Sequence, residues 1–308
     1  MEEIRKIYNT MLRNIMAEDP RIVVIDADLG ASCGTKDLRK DFPDRAFDVG
    51  VAEANMASLA AGLASYGFVP FIHTFTPFAT RRMFDQVTLS VCYAKQNVKI
   101  VGADPGICAE VNGGTHMSLE DMALMRTLPD MVVFEPVDAE QFKQALPQII
   151  NHDGPVYIRM FRKALDPVFD SDYKFDLFTA DVIKEGKDLT VLASGIMVQE
   201  CMKALPLFEE AGISAEIINV HTLKPFDEKT VLASAKKTGA ILTCENHSLV
   251  GGLYSATAEL MAREYPVKMA GIGVNDRFGE VGKMPYLKKV MGMTAEDIVA
   301  KAKSLLGK

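Results

Sequence analysis

Short apolar runs alternate with segments of helical period along the first half of the chain. The runs are IVVID at 22–26, VPFIHTF at 69–75, VKIVGA at 98–103, MVVFEP at 131–136 and PVYIRM at 155–160. They lack the in-out alternation of a strand with one wet face, so each reads as a strand buried on both faces. Between them Ile4, Ile7, Met11 and Ile15 make one stripe at helical spacing, Met56, Leu59, Ala60 and Leu63 a second, and Phe84, Val87 and Val91 a third. Strands separated by helices predict a parallel sheet covered on both sides. After the aspartate- and turn-rich stretch LDPVFDSDYKFDLFTADVIKEGK at 165–187 the alternation resumes, with strands at 189–194, 215–220, 239–245 and 267–273. Helices are expected near 197–211, 227–237, 252–264 and 295–306, with Gly212 ending the first of them. The expectation is an α/β chain of two domains, 1–164 and 186–308, each a mostly parallel sheet flanked by helices, joined by a linker at 165–185. No internal repeat or low-complexity segment is visible.

A length of 308 residues agrees with two domains. The formal charge of −7, from 34 basic and 41 acidic residues, comes with no basic block, which excludes nucleic acid and acidic membrane surfaces as expected partners. The N-terminus lacks the basic and apolar regions of a signal peptide, so a cytoplasmic protein is expected. Five scattered cysteines without a CxxC pair argue against disulfides and zinc, and neither HExxH nor GxxxxGK[ST] is present. No metal ligand set is expected in the chain. From Ala54 to Thr80 there is no lysine, arginine, aspartate or glutamate, but Gly62, Gly67, Pro70, His73 and Pro77 break the stretch up. A buried helix, a turn and a buried strand fit it better than a membrane span, and its length suggests a large subunit interface.

The segment FDVGVAEANMASLAAGLASYG puts Glu53 at the junction of a short strand and a helix. Alone, that is an acid favoured by a helix dipole. Its company is more specific: FTPFATRRMFDQV at 75–87, GGTHMSLEDMALMRTLP at 113–129, FEPVDA at 134–139 and YIRMFRK at 157–163, then INVHTLKPFDE at 218–228, ENHSLVGGL at 245–253 and DRFGEVG from Asp276. Taken in order, these segments and AEANM resemble the transketolase-like family of thiamine diphosphate enzymes over essentially the whole chain. The family's AEQNM motif differs here by Ala54 in place of glutamine.

That resemblance implies a pyrimidine-binding domain followed by a transketolase C-terminal domain, and it implies roles residue by residue. Glu53 matches the carboxyl group that bonds N1′ of the cofactor's aminopyrimidine and drives the 4′-amino group toward the imino form that takes the thiazolium C2 proton. Phe78 matches the ring stacked on the pyrimidine and Phe75 a wall of the same pocket, while His116 in GGTHM matches a loop residue near the reacting carbonyl. Asp28 belongs with the cofactor-side residues. Arg5, Ser32 and Arg159 match groups that bind the phosphate end of a sugar. Arg81 stands where some relatives carry tyrosine, and its role is open; His73, His152, His221 and His247 receive no catalytic role. In the loop GADPGICAEVNGGTH, Asp104 and Asn112 stand where ordinary transketolases carry a histidine and an aspartate contacting the sugar. An aspartate would repel a phosphate dianion, so the expected substrate is a branched, differently phosphorylated or otherwise modified sugar.

The diphosphate anchor of the family, GDG with an asparagine downstream, is missing; HDGP at 152–155 is the nearest match. The resemblance therefore implies the C-terminal section of a split transketolase. Its diphosphate-binding domain, and the Mg2+ (or Ca2+ or Mn2+) held there, would belong to a separate N-terminal subunit. A heterotetramer is expected, with self-association through the pyrimidine and C-terminal domains, and the latter contributing packing only. Rival readings are the β subunit of a 2-oxoacid dehydrogenase E1 component, a deoxyxylulose-phosphate-synthase-like enzyme, and a non-catalytic scaffold. Transfer of a two-carbon ketol unit from a ketose to an aldose is favoured, because the paired arginines suit a sugar phosphate and a lipoyl-linked reaction has no use for them.

Overall fold

The computed structural model describes residues 2–308. Six strands come from the first half of the chain: β1 (Ile22–Asp26), β2 (Ala46–Asp48), β3 (Val69–Phe75), β4 (Lys99–Ala103), β5 (Val132–Phe134) and β6 (Val156–Met160). Six follow: β7 (Asp181–Lys184), β8 (Leu189–Ala193), β9 (Ala215–Asn219), β10 (Thr222–Lys224), β11 (Ala240–Ser248) and β12 (Lys268–Val274). They form a seven-stranded sheet in the order β10-β5-β6-β4-β3-β1-β2 and a five-stranded sheet in the order β12-β11-β8-β9-β7. All pairings are parallel except β10 on β5 and β7 on β9. The continuous apolar runs are the strands β1, β4, β6, β8 and β9, and every residue of these five is buried, as a sheet sandwiched between helices requires.

Register sets the place of the site. Phe75 pairs with Ala103 across β3 and β4, and Ala103 with Met160 across β4 and β6. The three strands end level, so the segments that follow them leave the sheet side by side on its carboxyl edge. In open α/β sheets this edge is where ligands bind.

Three features depart from the sequence reading. The stretch 165–185 is no loose linker: Val168 and Phe169 donate their N–H groups to Asp138, Gln144 and Gln148 on the helix Ala139–Asn151 donate to the carbonyls of Tyr173 and Phe175, and Tyr173 donates to Asp181. Phe175 and Leu177 are buried in the first core, and β7 already begins at Asp181. The two halves also exchange structure, since β10 lies in the first sheet although its neighbours in sequence build the second. Finally, much of the uncharged stretch is explained without an interface, because β3 lies inside the sheet between β1 and β4. That leaves the helix Glu53–Ser65 and its turn, where Leu59 and Tyr66 are exposed. Among the described residues, no helix is long and apolar enough to cross a membrane.

Candidate active site

Glu53 is the first residue of the helix Glu53–Ser65, where its charge meets free backbone N–H groups, yet its side chain is only 3% exposed. Facing it, β3 runs out at Phe75 into a π-helical turn, Phe78–Arg82. Thr76 donates to the carbonyl of Ala103 at 2.8 Å and Thr80 to that of Thr76 at 2.8 Å, which pins the turn to the end of β4. Such turns commonly re-aim side chains at functional sites. Here the turn aims Phe78 and Arg82 toward Glu53. Arg82 donates from Nη1 to Glu53 Oε1 at 2.5 Å, and its guanidinium carbon sits 3.6 Å above the centre of the Phe78 ring. A carboxylate and an aromatic face thus flank a slot filled by one flat group bearing N–H donors, the Arg82 guanidinium.

His116 closes the slot from the loop before the helix Asp121–Thr127. Its ring meets Phe78 edge-on at 5.3 Å and Phe75 at 6.0 Å, and Thr115 Oγ1 lies 2.9 Å from His116 Nδ1. Arg81, left without a role by the sequence, holds this loop: it donates to the Thr115 carbonyl at 3.0 Å and to Glu120 at 2.8 Å. The expected group Glu53, Phe75, Phe78 and His116 is therefore contiguous.

Arg159 does not belong to it. Its side chain is fully buried in the middle of the molecule, donating to Asp121 at 2.7 and 3.1 Å, to Glu135 at 2.7 Å and to the Asn246 carbonyl at 2.6 Å. Burial works against its charge, but Asp121 and Glu135 more than offset this and hold the guanidinium firmly protonated. Fully buried and with four of its five N–H donors on these partners, Arg159 is a joint between the two sheets, and the expectation that it binds substrate is corrected. The arginine that reaches the carboxyl edge is Arg162. It lies past the end of β6, donates from Nε to Asp104 Oδ2 at 2.6 Å and from Nη1 to the Ser32 carbonyl at 3.4 Å, and stands 5.0 Å from the Phe75 ring centre. A sequence signal for this existed: Arg159 is inside an apolar strand run, whereas only residues beyond the strand end reach the carboxyl edge.

Arg5 joins the group through a long 3.5 Å contact to the same Ser32 carbonyl, with its other donors on Glu3 at 3.0 and 3.1 Å. Ser32 thus contributes its backbone oxygen to both arginines. Asp104 is buried, and burial pushes its carboxyl up while Arg162 pulls it down, the net direction being upward. Asp28, at φ +62°, is exposed and donates its N–H to Asp48. Asn112 lies exposed at the end of the turn Gly106–Asn112. The second half of the chain supports this region directly. Asn246, at the end of β11, accepts from Ile107 N–H at 2.9 Å and donates to the Pro105 carbonyl at 3.0 Å. Its side chain fills the place where a Cβ on Gly106 would fall, 2.3 Å away, and Gly106 has φ +53°, so only glycine fits.

The HDGP segment lies far from this edge. It precedes Val156, at the opposite end of β6, where Lys99 donates to the carbonyls of His152 and Gly154 at 2.7 and 2.9 Å. Among the described residues no three His, Cys, Asp or Glu side chains converge as a metal cage.

Comparison with known proteins agrees with this architecture. Residues 2–167 match the family "Transketolase, pyrimidine binding domain" and residues 179–298 match "Transketolase, C-terminal domain". The chain is 53% identical over 97% of its length to 93% of the 6-deoxy-6-sulfo-D-fructose transketolase subunit SqwH of Clostridium sp. (strain MSTE9). It is 38% identical, over 96% of its length and 93% of the relative, to a putative transketolase C-terminal section of Methanocaldococcus jannaschii. A solved structure described as a split gene transketolase, inactive beta4 tetramer, superposes with a TM-score of 0.91 at 42% identity, covering 100% of this chain and 99% of the other. The chain belongs to the transketolase family, with the pyrimidine-binding and C-terminal domains in one polypeptide.

Proposed function

We propose that the chain is the C-terminal subunit of a two-subunit, thiamine diphosphate-dependent transketolase that takes a two-carbon ketol unit from a ketose ending in a sulfonate. The residues present fit the cofactor's aminopyrimidine: a buried carboxylate for a ring nitrogen and an aromatic face at Phe78, two contacts that the flat, nitrogen-bearing guanidinium of Arg82 makes together. When bound, the cofactor would supply a nucleophilic carbon for ketol transfer. Glu53 would hydrogen-bond the ring and hold a proton at its N1′. Phe75 and Phe78 exclude water from the slot, and His116 hydrogen-bonds the reacting oxygen. Diphosphate and metal are held by a separate subunit, as the missing GDG motif implies, and HDGP, at the wrong end of β6, offers no substitute.

The observation that carries the substrate assignment is the charge balance at the site mouth. Arg162 is paired with Asp104 and Arg5 with Glu3. Two guanidinium groups facing two carboxylates leave little net positive charge for a phosphate, which carries about −1.5 to −2 at neutral pH. A sulfonate carries a single charge and offers three acceptor oxygens of similar geometry, so it keeps the hydrogen bonds at a lower electrostatic demand. The name of the SqwH relative points the same way. The test is to mix the purified chain with the subunit carrying the GDG motif, supply thiamine diphosphate and Mg2+, and compare donors. Faster transfer from 6-deoxy-6-sulfofructose than from fructose 6-phosphate or xylulose 5-phosphate is expected; xylulose 5-phosphate as best donor would refute the assignment.

A further inference from the structure

Arg82 has a position that the reaction does not explain. It is four residues from Phe78 on one helical turn, which makes the two side chains neighbours. Its guanidinium lies 3.6 Å over that ring while one of its N–H groups reaches Glu53 at 2.5 Å. These are the two contacts that the proposed function gives to the cofactor ring, and the present inference rests on that reading. A guanidinium and an aminopyrimidine are both flat and delocalised, both present N–H groups in the plane, and both stack on aromatic faces. They compete for one carboxylate and one face.

We propose that Arg82 is a removable occupant of the aminopyrimidine slot, satisfying Glu53 in the isolated chain and leaving when a cofactor ring enters. A carboxylate only 3% exposed needs a partner before the cofactor arrives, and Arg82 provides one. Departure is open to it, because 42% of its side chain is exposed while Glu53 stays buried. Arg81, the residue beside it, is tied to Thr115 and Glu120, so Arg82 can turn out into solvent without releasing the His116 loop. The occupant lowers apparent cofactor affinity by the fraction of chains it keeps closed.

The test compares the wild-type complex with its Arg82→Ala, Arg82→Gln and Arg82→Lys variants, each reconstituted with the GDG-bearing subunit and Mg2+. Thiamine diphosphate binding is measured by titration calorimetry and stability by thermal melting without cofactor. Arg82→Ala and Arg82→Gln are expected to bind the cofactor about fivefold more tightly yet to melt at a lower temperature without it. Arg82→Lys, which keeps a charge for Glu53 but no flat face for Phe78, should fall between. A purely structural ion pair would not split the two readouts in this way: unchanged or weaker cofactor binding in Arg82→Ala overturns the proposal. Should Arg82→Ala fail to fold, Arg82→Lys decides by the same criterion. Absence of binding by the wild-type complex overturns the functional reading and this proposal together, whereas measurable wild-type binding that Arg82→Ala leaves unchanged overturns this proposal alone.

Discussion

Arg162 and Asp104 meet at 2.6 Å on the carboxyl edge of the first sheet, and the aspartate is buried while the arginine keeps a rim of exposure. The pair leaves the arginine's charge nearly balanced. On the proposed function, a substrate anion at this edge would be held by hydrogen-bond geometry with modest help from net charge, which would separate a sulfonate from a phosphate more sharply than two free arginines.

Removing the negative partner should therefore move selectivity. In Asp104→Asn the ratio of kcat/KM for fructose 6-phosphate to that for its 6-sulfo analogue is expected to rise by about tenfold, a cost difference of about 1.4 kcal/mol. Steady-state rates with both donors measure it. A ratio that stays constant would remove Asp104 from the specificity argument.

The two arginines of YIRMFRK should behave differently. Arg159→Met strips the cation from Asp121 and Glu135, both buried, and is expected to cost about 3–5 kcal/mol of stability. Arg162→Met takes the cation from one buried carboxylate, Asp104, so it should cost less stability than Arg159→Met, and it should raise KM for the anionic donor at least about tenfold. Urea denaturation and donor titration on the two variants check both statements.

Most of the architecture was legible because its cause is local. Strands buried on both faces read as unbroken apolar runs, so β1, β3, β4, β6, β8 and β9 fall where the pattern puts them. β7 and β10 did not show, since DVIK and TLK are short, half-polar, and stabilised by pairing with distant edges. The group that the structure brings together, Glu53, Phe75, Phe78 and His116, was named from motifs at element ends and loops, each with a distinct spelling. Arg82 was not, because its meaning lies in a stack on Phe78 and a bond to Glu53, a residue 29 positions away. Arg162 was passed over for Arg159 because a motif names two arginines without saying which one the strand end exposes.

Asp26 predicts a pH dependence. It lies at the end of β1, fully buried, accepting from Thr35 at 2.5 Å while its second oxygen lacks a hydrogen-bond partner among the described residues, and burial pushes its carboxyl up to about 6. A carboxyl raised on folding keeps its proton in the native state when the unfolded chain has lost it. Its contribution to stability is complete below about pH 4, declines as pH rises, and is gone above about pH 6. The stability of the wild type relative to Asp26→Asn should fall by on the order of 3 kcal/mol across that window and then level off. Thermal melts of the two proteins from pH 4 to 8 measure the difference; parallel curves would mean that Asp26 stays ionised in the native protein.

The most direct test concerns Glu53. With the GDG-bearing subunit, thiamine diphosphate, Mg2+ and 6-deoxy-6-sulfofructose, ketol transfer should require both subunits, and Glu53→Ala should lower kcat by more than about a hundredfold while the chain stays folded by circular dichroism. Activity of Glu53→Ala within about tenfold of wild type, or full activity of the chain without its partner, would contradict the assignment of Glu53 as the residue that activates a cofactor shared between two subunits.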